Sequence, residues 1–116
     1  VQIDVEGALP EDARVAAAFL QIIREASTNA TKHAQAHRVH VRLWRETSED
    51  GAVARMTVSN DGAPAPVSYR EGTGIPGMRH VAQDLGGCLE IHAAPPFTLA
   101  VSIPLNASAT AQRRSS

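Results

Sequence analysis

Three polar side chains with complementary chemistry recur at helical spacing in the first third of the sequence. Glu25, Asn29 and Lys32 stand at positions i, i+4 and i+7, and at about 100° per residue they lie within roughly 60° of one another on an α-helix. An amide oxygen is a hard ligand for magnesium, a carboxylate can orient or deprotonate a nucleophile, and a cation can meet phosphate oxygens. His33 follows at the border of the apolar stripe. The group favours phosphate chemistry, although such a pattern alone more often belongs to a solvated amphipathic helix.

A glycine-rich stretch in the middle of the chain is the second candidate. Gly72-Thr73-Gly74 is followed by Gly77, so glycines surround a predicted helix start. Such glycines let backbone N–H groups approach an anion, and the helix N-terminus adds partial positive charge. The stretch matches neither the P-loop nor the dinucleotide fingerprint, because no Lys-Ser/Thr follows it and no strand precedes it.

The remaining polar motifs carry less chemistry by themselves. Asn60-Asp61-Gly62 directly follows a predicted strand and is typical of a turn. No pair among the five histidines has a carboxylate or cysteine partner at ligand spacing within one element, so we interpret them as solvated or structural. The single Cys88 excludes an internal disulfide and a cysteine-based zinc site.

The elements that must position these residues follow from the periodicity of apolar side chains. A long helix is predicted from Glu11 to about Ala36, where Gly and Pro are absent, and a short one from Pro76 to the Gly86-Gly87 pair. Alternating apolar and polar residues predict strands within 1–5, 39–44, 54–58, 89–91 and 97–103. The order strand, helix, strand, strand, loop, helix, strand, strand predicts a two-layer α/β sandwich of the α+β type, with a mixed β-sheet packed on helices.

Length and composition limit the function classes. The 116 residues fit one domain over 1–105, followed by a small polar tail over 106–116 that we expect to be disordered. Eleven Lys and Arg against twelve Asp and Glu give a net charge of −1, so we expect neither nucleic acid nor a membrane surface as a partner. No apolar run reaches membrane-spanning length and no signal peptide is visible. We expect a cytoplasmic domain of a longer protein, because the chain begins at Val1, directly in a predicted strand.

The chain resembles the ATP-binding domain of sensor histidine kinases in four ordered blocks. The match is nearest to the subfamily whose partners are response regulators of the NarL type, and it extends from the long helix to the last strand. The resemblance implies the GHKL (Bergerat) ATPase fold, with ATP and magnesium held between the helices and a lid. The blocks are Arg24-Glu25-Ala26-x-x-Asn29-x-x-Lys32-His33-Ala34, Asn60-Asp61-Gly62, Gly72-Thr73-Gly74-Ile75-x-Gly77-Met78-Arg79 and Leu85-Gly86-Gly87.

The resemblance gives the helix residues specific roles. Glu25 matches the catalytic acidic position beside the γ-phosphate, and Asn29 matches the Asn that coordinates magnesium through its side-chain oxygen. Lys32 and His33 match positions that face the phosphates. Gly72, Thr73, Gly74 and Gly77 match the glycine-rich box that closes over the phosphates, and the resemblance implies that they bind the nucleotide.

The block that reads adenine departs from the family pattern. That pattern is Asp-x-Gly-x-Gly, whereas here Asn60 stands first and Pro64 last, with Gly62 between them. An Asn can accept a hydrogen bond from the adenine amino group while donating to the neighbouring ring nitrogen, and Asp61 could take over part of that role. Thr98 on the last strand matches a Thr that supports the adenine site.

The activity implied is transfer of the ATP γ-phosphoryl to a histidine on a separate dimerisation domain, which then serves a response regulator. None of the five histidines lies in a second helical hairpin, so we expect the isolated domain to bind ATP and magnesium but to be nearly inactive. Two alternatives stay open: an anti-sigma-factor serine kinase of the same superfamily, and a degenerate nucleotide-binding or docking module, the latter prompted by Asn60 and Pro64. The Gly77-Met78-Arg79 and Leu85-Gly86-Gly87 pair favours the histidine kinases.

Overall fold

A computed structural model of the chain describes residues 2–33, 37–49, 51–62, 75–92 and 98–105, without the side chains of Lys32, His33, Ser48 and Ile75. The predicted order of elements is confirmed. The predicted tail over 106–116 and most of the predicted loop lie outside these residues. The elements are β1 (Gln2–Glu6), α1 (Ala13–His33), β2 (Arg38–Ser48), β3 (Gly51–Asn60), α2 (Ile75–Asp84), β4 (Cys88–His92) and β5 (Thr98–Pro104).

The strands form one mixed sheet in the order β1-β2-β3-β5-β4. β1 runs parallel to β2, and every other neighbouring pair is antiparallel. Within the described strands, β3 is therefore central, and its last residue, Asn60, lies opposite Val39 near the start of β2. The start of β5 meets the same end of the sheet, because Thr98 pairs with Ser59. This end also receives the C-terminus of α1, because only four residues separate His33 from the start of β2 at Arg38.

One face of the sheet carries both helices, and the core lies between the two layers. Phe19 and Ile22 on α1 are 0% exposed, and burying an aliphatic or aromatic side chain of this size contributes about 1.5–3 kcal/mol. Every second residue of β3 and β5 faces this layer, as the predicted alternation requires. The core is completed by Met78 and Ala82 on α2 and by the inward residues Val39, Val41, Met56, Val58, Leu99, Val101 and Ile103.

The helix layer leaves the edge strand β1 uncovered. Ile3 and Val5 pair with the buried Val39 and Val41, so they face the helix side, yet they are 42% and 57% exposed. No helix in the described part of the chain is long and apolar enough to cross a membrane.

The start of α1 is set by a side-chain cap. The Oδ1 atom of Asp12 accepts hydrogen bonds from the backbone N–H groups of Arg14, at 2.9 Å, and Val15, at 3.3 Å. An aspartate at this position satisfies donors that the first helical turn leaves free, and it typically contributes about 1 kcal/mol. The helix therefore starts at Ala13, two residues later than predicted.

Two glycines end α2 and attach it to the sheet. Gly86 adopts a φ of 81°, and its N–H donates to the carbonyl of Gln83, while Gly87 donates to the carbonyl of Ala82. This pair of bonds is the Schellman motif, which favours glycine at the residue with positive φ. A Cβ atom on Gly87 would overlap the backbone oxygen of Ser102. The close approach at Gly87 fixes the C-terminal end of α2 against β5.

Candidate functional site

Glu25 lies on the flank of α1 that faces α2, and Asn29 follows it one helical turn later. The carboxylate of Glu25 is exposed, whereas Asn29 is only 3% exposed. A cavity of about 160 Å³ between the two helices is lined by Glu25 together with Gln21, Gly77, Met78 and Val81. The fold thus brings Glu25 and Gly77, which are far apart in the sequence, to one site.

Gln21 is a residue of this cavity that the sequence analysis did not single out. It stands four residues before Glu25, and side chains at i and i+4 share one face of a helix. The four-residue spacing of Glu25 and Asn29, continued one turn towards the N-terminus of α1, leads to Gln21.

Gly77 lies in the first turn of α2, beside open space. A Cβ atom built on it would meet nothing within 4 Å. Its lack of a side chain is therefore not required by packing within the described residues, in contrast to Gly87. Open space next to the N-terminal turn of a helix is suited to an anion that approaches the backbone closely.

Several predicted site residues cannot be placed in full. Lys32 and His33 form the last turn of α1, on the same helix as Glu25 and Asn29, but their side chains are outside the described residues. Gly72, Thr73, Gly74 and Pro64 also lie outside the described residues. Their predicted contacts with a phosphate chain or lid stay predictions.

Asn60 ends β3 with its side chain turned to the helix side of the sheet. It is 8% exposed and continues the buried alternation of β3. Its Oδ1 atom accepts a hydrogen bond of 2.8 Å from the backbone N–H of Gly62. The predicted turn is therefore present, and the same bond holds the carboxamide of Asn60 in one orientation.

Asp61 fastens the end of β3 to the start of β2. Its Oδ1 atom accepts from the backbone N–H groups of His37, at 2.8 Å, and Arg38, at 3.0 Å. Its own N–H donates to the carbonyl of Arg38 at 3.2 Å. The hydrogen bond from Arg38, followed by that from His37, lowers the pKa of the Asp61 carboxyl. The carboxylate that we expected to share in adenine recognition is thus already engaged in joining two strands.

Thr98 does not join the predicted site. It pairs directly with Ser59, and directly paired residues present their side chains on the same face of a sheet. Ser59 alternates with the buried Val58 and Asn60, so Thr98 and Ser59 face the side without helices. The expectation that Thr98 supports the adenine site placed it in the wrong phase of the strand alternation.

The polar side chains of Glu25 and Asn29 offer oxygen atoms, the ligand type that suits magnesium better than a transition metal. Within the described residues, no group of three or more His, Cys, Asp or Glu side chains could hold a metal ion. Asn29 carries an amide oxygen, and Glu25, one turn earlier on α1, carries a carboxylate. A sparse set of oxygen donors fits Mg²⁺, which usually keeps several waters and binds through substrate phosphates as well as protein.

Comparison with solved structures places the fold among histidine kinases. The chain superposes on the histidine kinase domain of a blue-light activated histidine kinase from Erythrobacter litoralis EL346 with a TM-score of 0.68 and 25% identity, covering 94% of this chain and 54% of that one. It also superposes on the ATP binding domain of PrrB from Mycobacterium tuberculosis with a TM-score of 0.67 and 18% identity, covering 90% and 79%. The second likeness concerns the fold alone. The predicted two-layer fold is confirmed.

Sequence comparison agrees with the fold. The chain is 31% identical over 100 residues to the signal transduction histidine-protein kinase/phosphatase UhpB from Salmonella typhimurium, covering 85% of this chain and 19% of that protein. It therefore spans about a fifth of the length of this relative. A family model, the histidine kinase-, DNA gyrase B- and HSP90-like ATPase, matches residues 15–107. The resemblance drawn from the sequence blocks is confirmed, and the chain belongs to the histidine kinase-, DNA gyrase B- and HSP90-like ATPase family.

Proposed function

We propose that this chain is the ATP-binding catalytic domain of a sensor histidine kinase. It binds ATP with magnesium and transfers the γ-phosphoryl group to a histidine on a separate dimerisation domain. The observation that carries the proposal is the meeting of Glu25 and Gly77 across one cavity between α1 and α2. A carboxylate for the acceptor and an open helix N-terminus for phosphate oxygens are the two parts that such a transfer needs in one place.

Each element of the site has a separate task in nucleotide binding. The first turn of α2 offers backbone N–H groups and a partial positive charge to the phosphates. Asn60 reads the base from the end of β3, and at the end of α1 Lys32 adds a positive charge and His33 an imidazole. Asn29 would hold magnesium through its side-chain oxygen, and a bound ion would supply positive charge to the phosphates. These local donors allow a chain of net charge −1 to hold a triphosphate.

The transfer itself is a displacement at phosphorus. A ring nitrogen of the acceptor histidine attacks the γ-phosphorus and forms the N–P bond, while the bond from phosphorus to the β,γ-bridging oxygen breaks and ADP leaves. The Glu25 carboxylate accepts the proton from the other ring nitrogen, which keeps the attacking nitrogen nucleophilic. Positioning and charge neutralisation supply most of the rate enhancement in such reactions.

The proposal is tested by separating binding from transfer. Glu25→Gln removes the proton acceptor but keeps the size of the side chain, so ATP should bind within about threefold of wild type in calorimetry with magnesium. Transfer of labelled phosphate to a histidine-bearing dimerisation domain should slow by at least about a hundredfold, the usual contribution of a general base. Glu90→Gln, which changes an exposed carboxylate on β4, is the matched control and should leave both quantities unchanged.

Two results would contradict the proposal. The first is transfer by Glu25→Gln at the wild-type rate, and the second is no binding of ATP to the wild-type chain. A docking module would give the second result. A chain that binds ATP should gain about 2.7 kcal/mol of stability when the ligand is at 100 times its dissociation constant, whereas a docking module should gain none. A serine kinase is distinguished by its product, since a phosphoserine ester survives acid whereas the N–P bond of phosphohistidine hydrolyses.

A further inference from the structure

The cavity between α1 and α2 lies on one side of Glu25, the side away from Asn29. Gln21, four residues before Glu25 on α1, belongs to its lining, whereas Asn29, four residues after Glu25, does not. At 1.5 Å per residue, Gln21 and Asn29 stand about 12 Å apart along the helix, with Glu25 midway between them. The C-terminus of α1 lies at the end of the sheet where Asn60 ends β3. The cavity therefore extends from Glu25 away from that end.

The wall that α2 contributes extends in the same direction. Gly77 lies in the first turn of α2, and Val81 lies one turn later, towards the C-terminus of the helix. That C-terminus is attached at the other end of the sheet, because Gly87 lies against the backbone of Ser102 near the end of β5. The more distant part of the cavity thus has Val81 on one helix and Gln21 on the other.

The acceptor histidine of the proposed transfer needs space beyond the γ-phosphate. Its ring nitrogen must approach phosphorus from the side opposite ADP, since the attacking and leaving groups are in line. With magnesium at Asn29 and the γ-phosphate beside Glu25, that side is the part of the cavity next to Gln21. The cavity measures about 160 Å³, and a cavity of about 150 Å³ is enough to hold a benzene ring. An imidazole ring therefore fits, with Met78 and Val81 as its apolar walls.

The carboxamide of Gln21 suits a polar group beside that ring rather than the ring itself. In the transfer one ring nitrogen attacks phosphorus and the other gives its proton to Glu25, so both nitrogens are engaged. The side chain of Gln21 is exposed, and no hydrogen bond to another described residue engages it. A carboxamide both donates and accepts, so it can bond to a neutral polar group of the segment that carries the histidine.

We propose that the part of the cavity between Gln21 and Val81 receives the acceptor histidine, and that Gln21 binds the segment around that histidine through a hydrogen bond. The inference rests on the proposed function, because it assumes that the phosphoryl group passes from bound ATP to a histidine. It adds a binding site for the acceptor, and a residue that recognises it, to the sites for phosphate and magnesium.

The test is transfer to a separate histidine-bearing dimerisation domain, whose concentration is varied at saturating MgATP. Gln21→Leu keeps the approximate size of the side chain and removes its hydrogen bond, so KM for the domain should rise about fivefold, the usual effect of one neutral hydrogen bond. A bond that forms on binding changes KM rather than kcat, so kcat and the dissociation constant of ATP should stay within about twofold of wild type. Gln83→Leu is the matched control, because it makes the same exchange at an exposed position of α2 outside the cavity, and its KM should equal that of wild type.

The outcomes separate this inference from the proposed function. ATP binding by Gln21→Leu shows that the variant is folded, and an unchanged KM then overturns the inference while histidine phosphorylation stands. A fall in kcat alone also overturns it, because Gln21 would then act through Glu25. A loss of ATP affinity as large as the rise in KM overturns it as well, since Gln21 would then belong to the nucleotide site. If the wild-type chain binds no ATP, or Glu25→Gln transfers at the wild-type rate, the proposed function fails and the inference fails with it.

Discussion

Replacing Gly77 with alanine should raise the stability of the free protein and weaken its binding of ATP. A Cβ atom at this position meets nothing within 4 Å among the described residues, so we expect the methyl group to cost no packing. Alanine is favoured over glycine in helix interiors by about 0.5–1 kcal/mol, and in this first turn of α2 we expect about 0.5 kcal/mol. With an unfolding entropy of about 2.1 cal/mol/K per residue, that gain raises Tm by about 2 °C.

The same methyl group occupies the space that the phosphates need in the proposed complex. A tenfold loss of affinity corresponds to about 1.4 kcal/mol, which outweighs the gain in helix stability. The difference of about 0.9 kcal/mol should place Tm of the variant about 4 °C below that of wild type when ATP and magnesium are saturating for wild type. The order of the two melting temperatures should therefore reverse when nucleotide is added.

Thermal melts of wild type and Gly77→Ala, each with and without MgATP, measure this reversal. Gly87→Ala is the control, because its methyl group would overlap the backbone oxygen of Ser102. Overpacking of this kind costs about 1–3 kcal/mol, so that variant should melt lower without nucleotide yet keep the wild-type increase on adding MgATP. A lower Tm for free Gly77→Ala, or an unchanged increase with MgATP, would refute the assignment of the open space to phosphate.

Two further predictions concern stability. The pKa of Asp61 is lowered in the folded protein, so its carboxylate stabilises the fold above its ordinary pKa of about 3.9, and this contribution is lost as pH falls through the folded-state pKa. Asp61→Asn should therefore melt below wild type at pH 7, and the gap should narrow towards pH 3; a constant gap in thermal melts across that range would contradict the role of the charge. Ser27→Ala should raise the free energy of unfolding by about 1 kcal/mol in urea titrations, because Ser27 Oγ is buried without a hydrogen-bond partner among the described residues. Exposed Thr28→Ala, which removes a hydroxyl from the same helix, is the comparison, and an equal gain there would mean that burial of the Ser27 hydroxyl carries no cost.

The helices and strands could be predicted from the sequence because their apolar residues recur with a local period. On β3 the buried positions Ala52, Ala54, Met56 and Val58 recur every second residue, and on α1 the buried residues recur at helical spacing. The meeting of Glu25 and Gly77 could not be derived from these local periods, since it depends on how α2 lies against α1. It followed instead from the family resemblance, in which separated blocks form one site.

The interpretations of Asp61 and Thr98 changed because both depend on how strands pair, which a local sequence pattern does not show. The role of Asp61 depends on the register between β2 and β3, which brings the N–H groups of His37 and Arg38 to the end of a strand more than twenty residues later. The exclusion of Thr98 depends on which face of β5 joins the helix layer. A one-residue change in phase moves every side chain of a strand to the other face, so a motif match that is off by one residue assigns the wrong side of the sheet.

The tripeptide Asn60-Asp61-Gly62 lies where the side-chain alternation of β3 ends, and its three residues have different surroundings. Asn60 is the last residue to follow the strand alternation, so its side chain faces the helices and the proposed nucleotide. Asp61 leaves the alternation and reaches back to β2, and Gly62 turns the chain so that its N–H meets the carboxamide of Asn60. Two adjacent polar residues of nearly equal size thus lie in different surroundings, Asn60 buried on the helix side of the sheet and Asp61 bonded to the start of β2. It follows that a carboxylate is not interchangeable between these positions: at 61 it satisfies two backbone donors that join β2 and β3, whereas at 60 it would place a negative charge on the helix side of the sheet.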